Sequence, residues 1–189
     1  QDEARRMRAA WGAARYMMAH DEIRTLNWDA ACQSRQLGAG ALLAEQVRRC
    51  AGWLSGSEVC VWSDMFDPHH NAHDNYYLVR GDLMGSWDGL DPSVIIVNWN
   101  FDKRDESLKF FAGRGHRQVL AGYYDASPGR IKEWLASAEK LSGGGTPADG
   151  RDSSGQPKAG MIGVMYTTWR NNYDDLETFA SLVREAKRP

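Results

Sequence analysis

The sequence predicts an α/β fold: a partial TIM-type (β/α) barrel, or half-barrel, of about five parallel strands with flanking helices. Two observations carry this prediction. Short, continuously apolar segments alternate with amphipathic ones, as strands and helices do in a parallel sheet. Polar or aromatic residues follow every apolar segment, as they do at the carboxyl ends of barrel strands, where ligands bind. We expect residues 1–189 to form a single half-barrel domain.

The predicted elements begin with a helix over 2–11 and then alternate between strand and helix. Acidic residues open the helix over 105–112, as the helix dipole favours. Ser127 and Pro128 suit the cap and first position of the helix that follows. The predicted strands cover 14–19, 59–63, 94–99, 118–123 and 161–167, and the other helices cover 39–54, 127–141 and 173–186.

One segment of low complexity, 142–159, is rich in Gly, Ser, Asp and Pro and predicts a flexible loop. It precedes the last strand, so in a barrel it would lie on the bottom face, away from the chemistry. Five strands are also fewer than the eight of a closed barrel, and an open sheet leaves unpaired edges. We therefore expect a homodimer in which two half-barrels complete each other.

Composition narrows the function classes. The net charge of −2 and the lack of a basic run argue against nucleic acid, and no apolar run approaches the roughly 20 residues of a membrane helix. No signal peptide is evident, and the three cysteines lack metal-ligand spacing, so we expect reduced thiols and a cytoplasmic location. Eight tryptophans favour a carbohydrate or another small-molecule substrate, because indole rings stack on sugar faces. Trp11, Trp53 and Trp134 fall on helical patterns, where packing is the simpler expectation.

The strongest candidate for catalysis is the acid pair Asp21–Glu22, which follows the first predicted strand. Adjacent carboxylates repel each other, and this repulsion raises one pKa towards that of a proton donor near neutral pH. Glu22 could reach a leaving-group oxygen, and Asp21 could stabilise a developing charge. The structural alternative is that the pair caps the next element and meets Arg24.

Further candidates follow the later strands, and they are residues that bind sugars through rings or hydrogen bonds. Each lies where a parallel strand would deliver it to the functional end of the sheet. They are Trp62, Asp64, Trp99, Tyr123, Tyr124, Asp125 and Trp169.

With these residues in place, nearly the whole chain resembles the substrate-assisted β-N-acetylhexosaminidases of glycoside hydrolase family 20, from the helix before strand four of that barrel to its last helix. The family motif at strand four is usually Gly-Gly-Asp-Glu, and here the residues are Ala19-His20-Asp21-Glu22. The resemblance implies that Glu22 is the general acid/base. It also implies that Asp21 polarises a 2-acetamido group, whose oxygen attacks the sugar carbon.

The resemblance extends to the later strands. It implies that Trp99, Trp169 and Asp125, together with Tyr123 or Tyr124, wall the sugar pocket, and that Trp62 and Asp64 occupy a strand-five position. Two departures stand out: His20 replaces a glycine, and the acid that the family commonly carries after its strand-eight tryptophan is missing from Trp169-Arg170-Asn171. No cofactor is implied.

A histidine cluster supports an alternative function. His69, His70 and His73 lie within a few residues of Asp67 and Asp74. With His20, Asp21 or Asp64 they could form a three- or four-ligand Zn or Mn site, in which metal-bound water attacks esters or phosphoesters. The same loop also suits hydrogen bonding to sugars. A second alternative is a carbohydrate-binding remnant without catalysis.

Overall fold

The computed structural model describes residues 2–76, 79–125, 127–142 and 159–186. Its strands are β1 (Arg15–Met17), β2 (Glu58–Trp62), β3 (Ile95–Asn98), β4 (Arg117–Leu120) and β5 (Gly160–Val164). Its helices are α1 (Asp2–Trp11), α2 (Ala30–Gln33), α3 (Ala39–Trp53), α4 (Arg104–Gly113), α5 (Arg130–Ser142) and α6 (Leu176–Ala186). The strands form one parallel sheet in the order β1-β2-β3-β4-β5, flanked by helices, which confirms the predicted α/β class.

All five predicted strands and all five predicted helices are present, with shifted ends. Each strand ends earlier than predicted, although apolar residues continue beyond some of them, as at 121–123 after β4. Helix α5 begins at Arg130, so Ser127 and Pro128 lie in the turn before it and not at its cap and first position. The four-residue helix α2, capped by the Asp29 side chain, was not predicted, because one turn leaves no periodic pattern.

The chain divides into two compact units, Gln1–Ile96 and Val97–Pro189, which are called here the N-terminal unit and the C-terminal unit. In the N-terminal unit β1 pairs with β2, and Tyr16 lies opposite Val59. Helix α3 buries Leu42, Leu43 and Val47.

Two glycines of the N-terminal unit lie against bare backbone. A Cβ atom added to Gly89 would lie 2.1 Å from the carbonyl oxygen of Ala44, and one added to Gly40 would lie 2.0 Å from that of Met84. Helix α3 therefore packs backbone to backbone on the segment 83–90, which no side chain at either glycine would permit.

In the C-terminal unit β4 pairs with β5, with an irregularity in register between Gln118 and Val119. Residues from β4, from the segment after it and from helices α4, α5 and α6 form an apolar core, which anchors these helices to β4. The buried members are Leu108, Leu120, Tyr124, Ile131, Trp134, Ala138, Phe179 and Val183.

Burial differs between central and outer strands. Every residue of β3 is buried, as expected for a parallel strand covered on both faces. In β1 only Tyr16 is buried, and in β5 none of the residues is. These two strands stand at the ends of the sheet order, where one side has no neighbour among the strands of the described ranges.

Three further predictions concern the low-complexity loop, the cysteines and membrane-spanning helices. The predicted loop 142–159 lies, from 143 to 158, outside the described residues. Cys32, Cys50 and Cys60 are not joined by disulfide bonds. Of the helices in the described ranges, none has both the length and the apolar character that crossing a membrane requires.

Candidate functional site

The acid pair lies in a tight turn that leaves β1. Ala19, His20 and Glu22 all have left-handed backbone conformations, with φ of 58°, 66° and 45°. Non-glycine residues rarely adopt this region, because Cβ crowds the backbone at a cost of roughly 1 kcal/mol or more per residue. Three such residues within four positions therefore identify a strained turn, and strain of this kind concentrates at functional sites.

Glu22 is held through its backbone. Its N–H donates to Oδ2 of Asp64 at 2.9 Å, and Asp64 is fully buried in the 3₁₀ turn after β2. The Glu22 carboxylate is half-buried and lies 3.6 Å from Nη2 of Arg24, whereas Asp21 is exposed. The ion pair with Arg24 matches one part of the structural alternative, but Asp29, and not the acid pair, caps the next helix. At this length and exposure the ion pair contributes little stability.

Both ring nitrogens of His20 make hydrogen-bonding contacts. Its Nδ1 lies 2.8 Å from the Met18 carbonyl oxygen, and its Nε2 lies 2.7 Å from Oε1 of Gln46 on α3. Both ring nitrogens thus tie the acid-pair turn to neighbouring backbone and to α3.

The histidine-rich loop of the N-terminal unit is built around a second buried carboxylate. Asp67 is fully buried, and its Oδ1 accepts the His69 N–H at 2.8 Å. His70 is buried with its ring 5.8 Å from that of Tyr76, and the His73 ring lies tilted against the same tyrosine with its centroid 4.7 Å away. Burial, with a smaller contribution from the charge of His73, lowers the pKa of His70 to about 4.

The predicted metal ligands are not gathered into a site. Within the described ranges, no group of three or more His, Cys, Asp and Glu side chains is placed to hold a metal ion. The Zn or Mn alternative built on His20, Asp21, Asp64 and the three loop histidines therefore stays a prediction from sequence.

The C-terminal unit brings three predicted aromatic residues together. Trp99 follows β3, Tyr123 follows β4 and Trp169 follows β5. The Trp169 ring lies 6.1 Å from the ring of Trp99 and 5.4 Å from that of Tyr123, measured between centroids. Trp169 remains 54% exposed, so a broad aromatic surface is open to a ligand. These three residues are called the aromatic cluster below.

Asp125 supports the segment that carries Trp169. Its Oδ1 accepts the Thr168 hydroxyl, and its Oδ2 accepts the backbone N–H groups of Trp169 at 2.8 Å and Arg170 at 3.3 Å. Burial alone would raise the pKa of Asp125, but these hydrogen bonds outweigh it and hold the pKa below its usual value. No local pattern identifies Thr168 as a partner of Asp125, because the two residues are 43 positions apart.

Tyr123 and Tyr124 point to different environments. Tyr124 is fully buried, with its ring 4.7 Å from Phe179 and 5.8 Å from Tyr166, and burial raises its pKa. Of the two alternatives, Tyr123 is therefore the one that belongs to the aromatic cluster. Trp62 is the last residue of β2 and is half-buried. Its backbone N–H donates to the Ala19 carbonyl at 3.3 Å, so Trp62 borders the acid-pair turn.

Comparison with protein-family models and with curated proteins finds no relative of this chain. No protein-family model matches the chain, and no curated protein matches it. The support for a function therefore comes from the site residues and from the resemblance of their order along the chain to that of glycoside hydrolase family 20.

Proposed function

We propose that the protein is a glycoside hydrolase-like enzyme that cleaves N-acetylhexosaminide-type glycosides by substrate-assisted acid/base catalysis. The observation that carries this proposal is the aromatic cluster, in which Trp99, Tyr123 and Trp169 come together from the ends of three successive strands. Rings gathered at the carboxyl ends of parallel strands offer flat apolar faces, and sugar rings stack on such faces.

The conformation of the acid-pair turn gives independent support. Ala19 and His20 occupy the two positions where the family motif has glycines, and both have φ in the left-handed region. Glycine is the residue that adopts this region without strain. The backbone here thus keeps a shape that suits the Gly-Gly-Asp-Glu motif although its glycines have been replaced.

The proposed chemistry follows the resemblance. Glu22 donates its proton to the glycosidic oxygen while the bond from that oxygen to the sugar carbon breaks. The acetamido oxygen of the same sugar forms the new bond to that carbon, and Asp21 accepts a hydrogen bond from the acetamido N–H. Water then attacks the carbon and gives a proton back to Glu22, so no protein nucleophile is required.

The test is hydrolysis of an aryl N-acetylglucosaminide by three variants. Glu22→Gln keeps the size of the side chain but cannot donate the proton, so kcat should fall by about 100-fold or more. Trp169→Ala removes a stacking face and should raise KM. Glu106→Gln on α4, an exposed glutamate paired with Lys103 at 3.3 Å, is the matched control and should leave both constants unchanged.

Other outcomes of the same assay separate the alternatives. Loss of turnover in EDTA and its recovery with Zn or Mn would favour the metal-dependent esterase or phosphoesterase. Binding of N-acetylglucosamine without turnover would favour the carbohydrate-binding remnant. Equal rates for the wild type and Glu22→Gln would rule out the role of Glu22.

A further inference from the structure

We propose that Asp125 is a positioning residue for Trp169, and not a ligand of the sugar. The inference rests on the proposed function in one respect, that the aromatic cluster binds the substrate. It departs from the resemblance, which places Asp125 in the wall of the sugar pocket.

Asp125 is 6% exposed, and both of its oxygens face donors of the segment 168–170. Oδ1 accepts from the Thr168 hydroxyl, and Oδ2 accepts from the N–H groups of Trp169 and Arg170. A carboxylate has about four lone-pair sites, and three are engaged here. A buried carboxylate with this many internal donors has little capacity left for a sugar hydroxyl.

The hydroxyl of Thr168 acts as a donor to Asp125. Its oxygen accepts the Asn172 N–H at 3.1 Å and, at 3.2 Å, shares the Arg170 N–H with Oδ2 of Asp125. Its single hydrogen points at Oδ1 of Asp125. Because hydrogen-bond donors face both carboxylate oxygens, the ionised form of Asp125 is favoured over the protonated form.

Trp169 needs such an anchor because burial does not supply one. Its indole is 54% exposed, and its contacts with Trp99 and Tyr123 are ring contacts at 6.1 Å and 5.4 Å. The hydrogen bond from its own backbone N–H to Asp125 is charge-assisted, which is among the stronger kinds. Asp125 thus sets the position from which the indole reaches the aromatic cluster.

The experiment observes Trp169 directly, without a sugar. The protein is labelled with 5-fluorotryptophan, and the ¹⁹F resonance of Trp169 is assigned from its absence in Trp169→Phe. Asp125→Asn replaces one carboxylate oxygen with an NH₂ group, which cannot accept the hydrogen bonds that this oxygen accepts. Thr168→Val removes the hydroxyl and leaves Asp125 in place. Both should shift or broaden the Trp169 resonance, whereas Asp174→Asn, an exposed carboxylate nearby in the chain, should leave it unchanged.

A binding cycle separates positioning from direct contact. The dissociation constant of N-acetylglucosamine is measured for Asp125→Asn alone and together with Trp169→Ala. We expect Asp125→Asn to weaken binding about tenfold in the wild-type background, since a mobile indole must be ordered on binding. In the Trp169→Ala background it should have no further effect.

Two results would overturn the inference. One is a Trp169 resonance that Asp125→Asn and Thr168→Val leave in place. The other is an equal loss of affinity from Asp125→Asn in both backgrounds, which identifies a direct sugar ligand. Failure of the wild type to bind N-acetylglucosamine would contradict the proposed function instead, and the ¹⁹F comparison would still decide the role of Asp125.

Discussion

Ala19 and His20 show how a residue can keep a conformation that its type disfavours. Both have left-handed φ, and His20 holds its place through contacts of its two ring nitrogens with Met18 and Gln46. The N–H of Glu22, the third left-handed residue, is satisfied by buried Asp64. The surrounding hydrogen bonds therefore offset the strain that glycines would avoid, and the imidazole takes space beside the acid pair.

His70 gives the molecule a pH-dependent stability. Its pKa is about 4 in the folded chain and near 6.5 when unfolded, because burial disfavours the charged imidazole. Between pH 6.5 and about pH 4, His70 binds a proton in the unfolded chain but stays neutral in the folded chain. The free energy of unfolding should therefore fall as the pH drops through this window, by up to about 3 kcal/mol.

Urea unfolding of the wild type and of His70→Gln at pH 7, 5.5 and 4 measures this effect. The difference in stability between the two proteins should narrow as the pH falls, since the glutamine does not titrate. His69→Gln, which keeps the neighbouring imidazole of His70, is the matched control and should follow the wild type. Parallel stability curves for wild type and His70→Gln would show that His70 is not the group responsible.

At the scale of single residues, the sequence predicts which residues belong to the candidate site better than it predicts where their side chains point. Trp99, Tyr123 and Trp169 could be predicted to converge, because each follows a strand of a parallel sheet. The choice between Tyr123 and Tyr124 could not be made, since neighbouring residues point to opposite sides and nothing in the pattern sets the phase. The partners of Asp125 lie 43 to 45 positions away, beyond any local pattern.

At the scale of elements, helix α3 and the segment 83–90 depend on two glycines. Neither Gly40 nor Gly89 has space for a methyl group, because the nearest atoms belong to backbone that cannot move aside. In contrast, nothing lies within 4 Å of a Cβ added to Gly52, which is in the same helix. Gly52 and Gly89 therefore allow a comparison between a position that is open and one that is closed by backbone.

Gly89→Ala should lower the free energy of unfolding by about 3 kcal/mol or more, since overpacking against backbone forces the helix and the segment apart. Gly52→Ala should instead raise it by up to about 1 kcal/mol, because alanine favours the helix. Denaturant unfolding of both variants measures the two effects. A Gly89→Ala protein as stable as the wild type would contradict this packing.

The elements themselves were largely predictable, and the exceptions have physical causes. The apolar runs of β2 and β3 mark strands that the structure buries. Trp134 packs in the core as expected for a helical pattern, but Trp11 is 79% and Trp53 41% exposed. Both lie at the last residue of a helix, where the periodic face no longer determines what the side chain meets.

At the scale of the whole molecule, the sheet order leaves β1 and β5 with a neighbour on one side only among the described strands. Both carry exposed apolar side chains, Met17 at 43% and Ile162 at 38%. Unpaired edges of this kind favour association with another strand. We therefore propose the homodimer expected from the sequence.

Sedimentation equilibrium should show dimers at micromolar concentration. Met17→Lys places a charge on the outer strand β1 and should shift the equilibrium towards monomer, because lysine on an edge disfavours strand addition. Lys109→Met, a change on helix α4 away from the edges, serves as the control. A wild-type chain that stays monomeric over this range would exclude the completed barrel.

Helix α1 buries none of its side chains. It is held mainly by Arg8, which donates to the Ser55 carbonyl at 3.0 Å, and by Ala4, which packs against Tyr16, Leu54 and Val59. Ten residues are too few for a helix to persist alone in water. Its amide protons should therefore exchange with solvent through local detachment, long before global unfolding. During each detachment Ala4 leaves the side chains of Tyr16, Leu54 and Val59, so the kinetics of this opening set how often Tyr16, the buried residue of β1, meets solvent.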